Sequence, residues 1–74
     1  MVLSDIKCGE RCRVKKIDND LASINRLNDL GLTCGVVVTL IRKAPFGDPL
    51  LISLRNFMLA IRLFDAQKIT VERL

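Results

Sequence analysis

Hydrophobic and polar positions first alternate along this chain, then recur at helical spacing, then alternate again. Cys12 and Val14 face one way, while Arg11, Arg13 and Lys15 face the other. That period of two predicts a first strand over about 11–17, with Cys12 as a small core residue. Before it, Ser4-Asp5 and Ile6-Lys7 predict one helical turn over a barrel end, and Gly9 lets the chain turn into the strand. Asp18, Asn19 and Asp20 end the strand and offer oxygens and negative charge to the first turn of a helix. Leu21, Ile24, Leu27 and Leu30 follow at helical spacing, with Ser23, Asn25, Arg26, Asn28 and Asp29 on the other faces. Gly31 is placed to stop the helix in a left-handed conformation, and Leu32 to supply the apolar contact that follows such a stop. Gly35 marks a second tight turn.

Alternation fails over 36–42, where Val36, Val38 and Leu40 back onto Val37, Thr39 and Ile41. Such a strand is expected to be covered on both faces, by the core and by the helix or a partner. Lys43 to Pro49 is a loop: Pro45 and Pro49 fix the chain locally, and Gly47-Asp48 is turn chemistry. Leu50, Ile52 and Leu54 then alternate with Leu51, Ser53 and Arg55. Asn56 is read as a hairpin tip that takes positive φ. On the return, Leu59, Ile61 and Leu63 face inward, and Met58, Ala60 and Arg62 outward. Phe64 to Gln67 suggests one 3₁₀ turn, and Ile69 and Val71 alternate with Thr70 and Glu72 as a last strand. The expected architecture is mainly β, a small five-stranded barrel with one α-helix between strands one and two, as a single domain over 1–74.

Composition sharpens this picture. A 74-residue chain buries only roughly 60% of its unfolded surface. With 50% hydrophobic residues, it has more apolar surface than so thin a core needs, and the surplus points to a partner. No apolar run reaches the roughly 18 residues that span a bilayer, and the opening MVLSDIKCGERC lacks the apolar centre of a signal peptide. Both lead to the expectation of a cytoplasmic protein without direct membrane insertion. Three cysteines, an odd number, fit a reducing compartment better than a disulfide framework.

Most reaction chemistry is missing from the sequence. There is no histidine, hence neither the usual general base near neutral pH nor the commonest metal ligand. The stretch Gly31 to Gly35 lacks the Lys and Ser/Thr pair of a phosphate loop. Cys8 and Cys12 are two thiols where a zinc site needs four ligands, so Cys8, Cys12 and Cys34 read as structural thiols. The reading is of a protein that is not an enzyme and holds no cofactor or metal. The net charge of +4 is scattered, as on a solvated surface. Without Tyr or Trp, and with three Phe, the chain lacks the stacking platform of a single-strand binder, so no nucleic-acid partner is expected.

Three segments together carry a resemblance: Arg26 to Gly35 (RLNDLGLTCG), Val38 to Pro49 (VTLIRKAPFGDP) and Leu59 to Arg62 (LAIR). The chain resembles the FeoA family, small cytosolic proteins of bacterial ferrous iron uptake, from Leu3 to Glu72. The family often has proline where Cys34 stands and glycine where Asn56 stands; either change keeps the turn. The resemblance implies an SH3-like barrel and a non-enzymatic accessory role, binding and modulating the membrane transporter FeoB. The same fold forms the C-terminal domain of iron-dependent repressors, so the alternative is a metal-binding or metal-sensing module.

For the accessory role, the candidate partner surface is Arg26, Leu30, Val37, Phe46, Gly47, Asp48, Leu51 and Met58. Several of these have plainer readings. The helix could cover Val37 and Leu51, Phe46 could pack between Pro45 and Pro49, and Gly47 and Asp48 could serve only the loop's shape. Weak self-association through an exposed strand edge is a third reading.

Overall fold

The computed structural model describes residues 1–18 and 24–74, and the side chains of all of these except 24–26. A 3₁₀ turn, Leu3–Asp5, precedes β1 (Arg11–Ile17), α1 (Ile24–Asp29) and β2 (Val37–Lys43). A second 3₁₀ turn, Pro45–Gly47, leads to β3 (Leu50–Leu54), β4 (Phe57–Ile61), α2 (Leu63–Ala66) and β5 (Ile69–Arg73). All neighbouring strands are antiparallel, in the order β4-β3-β2-β1-β5. β4 and β5 do not pair, so the sheet curls into an open barrel.

Side-chain alternation explains the interior. Cys12 and Val14 of β1, Val38 and Leu40 of β2, Leu50, Ile52 and Leu54 of β3, and Ile69 and Val71 of β5 all lie in one core. Two bulges adjust this alternation. In β1 the register against β5 shifts between Val14 and Lys16, which turns Ile17 inward and leaves Lys16 in water. In β2 it shifts against β3 between Leu40 and Arg42, leaving Ile41 39% exposed. Each bulge bends its strand and raises the local twist, as barrel closure needs.

The second strand is therefore not covered on both faces. Its outer residues Val37 and Thr39 are half-buried and Ile41 is exposed, so continuous apolar sequence here reflects one core face and one partly open face. The N-terminal turn covers a barrel end as expected, burying Leu3 and Ile6.

The described part of α1 buries Leu27, and Leu30 just after it is half-buried; the expected cap at Asn19 and Asp20 and the stripe residue Leu21 lie outside the described residues. The helix stops as expected. Gly31 has φ +98°, its N–H donates to Asn28 O at 3.0 Å, and Leu32 N–H donates to Leu27 O at 3.0 Å. That pair of bonds, with Leu27 and Leu32 both buried, is a Schellman stop. A Cβ on Gly31 would meet the Arg55 side chain at ordinary contact distance, Nε at 3.7 Å and Cδ at 3.8 Å, so the cost of Gly31→Ala is torsional. It should destabilise by about 1–2 kcal/mol, read as a lower urea midpoint at unchanged slope.

Two turns differ from expectation. At the β3–β4 hairpin the positive φ belongs to Arg55 (φ 53°), not Asn56. The register pairing Leu54 with Phe57 leaves two turn residues, and the geometry of joining those strands decides which takes the left-handed conformation. The turn expected at Phe64 starts at Leu63 and is α-helical, closed by Ala66 N–H to Arg62 O at 2.9 Å and Gln67 N–H to Leu63 O at 3.0 Å.

Candidate partner surface

The outer side of the sheet has two unlike halves. Over β1 and β5 it is charged and paired: Arg13 and Lys15 lie 3.5 and 3.7 Å from Glu72, and Arg73 lies 3.0 Å from Glu10. Exposed pairs like these contribute little stability, but they suit water. Over β2, β3 and β4 the outer side is mostly apolar. Register sets Thr39, Ser53 and Met58 in one row and Arg42, Leu51 and Ala60 in the next, with Val37 opposite Arg13 of β1. Val37 and Leu51 are half-buried and Met58 is 63% exposed. Three of the expected surface residues are thus brought onto one face.

The loop after β2 stands at the Leu51 end of that face. Gly47 N–H donates to Ala44 O at 2.8 Å, and Ala44 N–H donates to Pro49 O at 3.0 Å. Asp48 Oδ1 accepts from Leu63 N–H at 3.0 Å, which ties the loop to the start of α2. Gly47 (φ +79°) and Asp48 therefore hold the loop's shape. Phe46 does not pack between the prolines. Its side chain is 102% exposed and its backbone is left-handed, φ 67° and ψ 12°. A bulky residue there is strained, and no burial of its ring offsets the strain.

Leu30 is half-buried just after α1, next to Gly31, and the Arg26 side chain lies outside the described residues. Sequence reasoning missed a cleft of about 540 Å³ lined by Leu27, Asp48, Pro49, residues Leu59 to Arg62, and Asp65. A smaller depression of about 190 Å³ is lined by Arg42, Ala44, Pro49, Leu51 and Ala60. Nothing in the period of β4 announces either, because both depend on which strand ends the sheet.

The thiols are separated. Cys12 lies in the core, where burial foremost and the charge of Glu10 next push its pKa up, while Cys8 and Cys34 are exposed. The carboxylates near Cys8 serve turns: Asp5 Oδ2 accepts from Val2 N–H at 3.0 Å and Glu10 Oε1 from Lys7 N–H at 2.8 Å. Among the described residues, no three Cys, His, Asp or Glu side chains converge as a metal site would require. Thiol titration should label Cys8 and Cys34 promptly and Cys12 only on unfolding. Because folding raises the Cys12 pKa, its contribution to stability is complete below the ordinary thiol pKa of 9.0 and declines as pH rises above it.

The FeoA domain model matches residues 1–73. The FeoA protein of Chlorobium tepidum is 38% identical, with a TM-score of 0.92 over 100% of this chain and 70% of that one. The zinc-complexed FeoA of Stenotrophomonas maltophilia, described as a prokaryotic SH3 domain protein and proposed as a ferrous iron transport activating factor, is 28% identical. It has a TM-score of 0.83 over 97% of this chain and 89% of that one. A manganese-dependent transcriptional repressor shares the fold alone, at 14% identity and a TM-score of 0.90, over 100% of this chain and 36% of that one. No curated protein matches the sequence. With its five antiparallel strands, its SH3-like form and a family match along nearly its whole length, this chain belongs to the FeoA domain family, whose members are tied to ferrous iron transport.

Proposed function

We propose that this chain is a cytoplasmic, non-enzymatic accessory protein of ferrous iron uptake that binds the FeoB transporter and modulates it. The observation that carries this reading is Phe46: a whole aromatic ring held in water on a hydrogen-bonded loop, in a strained backbone conformation. Strain of this kind persists where the surroundings enforce it and clusters at binding sites. Aromatic anchors with a polar rim dominate protein interfaces. On the outer face of the sheet, the half-buried Val37 and Leu51 and the exposed Met58 supply contact area, with Gly47 and Asp48 presenting the Phe46 ring. Arg26 of α1 and Leu30 just after it complete the proposed contact. Among the described residues no helix is long and apolar enough to cross a membrane.

The test is capture of full-length FeoB in detergent, with and without guanine nucleotide, followed by its nucleotide turnover with and without this chain. Recovery in one nucleotide state, with altered turnover, supports the reading. No recovery in any nucleotide state overturns it.

A further inference from the structure

The two edges of the sheet are finished differently. Beside β5 the N-terminal segment adds a bridge, Val2 opposite Thr70, and Val71 N–H donates to Met1 O at 2.9 Å. β4 is the other edge. Leu54 and Phe57 flank a two-residue turn and so form a hydrogen-bonded pair. Alternation along the ladder then turns the N–H and C=O groups of Met58 and Ala60 away from β3. No backbone group among the described residues meets them. Soluble proteins guard such edges with charges, proline or bulges. β4 reads Phe-Met-Leu-Ala-Ile, with none of these and an unbroken register against β3.

This edge runs between the two depressions. Leu27, Leu59 and Ile61 line the cleft, Arg42 and Leu51 line the outer depression, and Pro49 and Ala60 border both. A strand added to a sheet edge sends alternate side chains to opposite faces. One would enter the cleft and the next the outer depression, which is how edge-binding domains gain specificity. The two sides differ in chemistry. The cleft offers the apolar walls Leu27, Leu59 and Ile61, with Asp48, Arg62 and Asp65 of both charges at its lining. Among the described residues, Arg42 is the one ionised side chain lining the outer depression, whereas Arg62 lines the cleft. From Leu50 to Ile61 there is no Asp or Glu.

We propose that the β4 edge accepts an extended segment of the protein partner, in which apolar residues facing the cleft alternate with acidic residues facing Arg42. The proposal rests on the accessory-protein reading above and adds how the partner is held. A second copy of this chain is a poorer occupant. Antiparallel pairing about Leu59 sets Arg62 of each copy opposite Asn56 of the other, one residue from Arg55, and each copy carries a net charge of +4.

The experiment is amide hydrogen exchange of the unaltered chain, alone and with FeoB, together with capture of FeoB by Ala60→Pro and Arg42→Glu. Ala60→Pro removes an outward N–H without touching the β3 ladder, and Arg42→Glu reverses the outer charge on an exposed side chain. The expected result is that FeoB slows exchange at Met58 and Ala60, and that each variant, folded by circular dichroism, captures FeoB about tenfold less well. Capture of FeoB by the native chain, with exchange at Met58 and Ala60 unchanged and Arg42→Glu fully active, overturns the edge proposal and leaves the accessory reading standing. Slow exchange without FeoB, with doubled mass in solution, overturns it in favour of self-pairing. No capture of FeoB by the native chain overturns both.

Discussion

Ile52→Ala is expected to leave this chain only marginally folded. Ile52 is fully buried in the central part of β3, with Leu40 of β2 opposite on one side and Leu59 of β4 opposite on the other. A strand held on both sides by ladder hydrogen bonds cannot move inward to fill a void, so the transfer loss and the cavity cost add. Such a truncation costs about 2–5 kcal/mol. At roughly 0.05–0.15 kcal/mol per residue, a chain of this length has only about 4–11 kcal/mol in total. The midpoint of thermal unfolding should fall by roughly 10–30 °C, and the urea midpoint should fall at unchanged slope. Ser53→Ala, on the outer face of the same strand, should change stability by no more than about 0.5 kcal/mol. A loss below about 1 kcal/mol for Ile52→Ala would mean that the core repacks around the gap.

Phe46→Gly is expected to abolish capture of FeoB while leaving stability unchanged or slightly higher. The ring is wholly exposed, so its removal forfeits no burial. The left-handed backbone costs a side-chain-bearing residue about 1–2 kcal/mol, which glycine escapes. Glycine's extra freedom in the unfolded chain takes back about 0.5–1 kcal/mol. The melting temperature should therefore hold or rise by a few degrees, about 4–8 °C per kcal/mol in a domain of this size. Loss of an aromatic anchor at the centre of an interface costs about 2 kcal/mol or more in binding. Phe46→Glu should lose capture as well, whereas Phe46→Tyr should keep it. The opposite signs in Phe46→Gly separate a lost contact from a lost fold. Full capture by Phe46→Gly would remove Phe46 from the interface.

Much of the fold was legible residue by residue. Cys12 and Val14 face the core because alternation leaves them no other side, and Gly31 with Leu32 forms the helix stop that their order predicts. Errors fell where a strand departs from regular pairing. Ile41, on the outer side of β2 at a bulge, is exposed although apolar continuity suggested it was covered. Arg55 rather than Asn56 takes positive φ because the hairpin register, not residue preference, sets the turn. The surface residues were legible in part. Val37, Leu51 and Met58 share a face because they alternate with the core residues. For Phe46, packing and exposure remained open until the Asp48 bond to Leu63 was placed, since that bond joins segments 15 residues apart.

The sequence by itself determined the strands, the inward and outward side of most of them, and the helix stop. Each follows from torsional preference or side-chain direction within a few neighbouring residues. Only the tertiary structure decided that β4 ends the sheet, that the N-terminal segment guards β5 instead, and that a cleft opens between Leu27 and the β4 edge. Those outcomes depend on which distant segments pair, and that no described residue pairs with the outer N–H groups of Met58 and Ala60 is something no local period encodes.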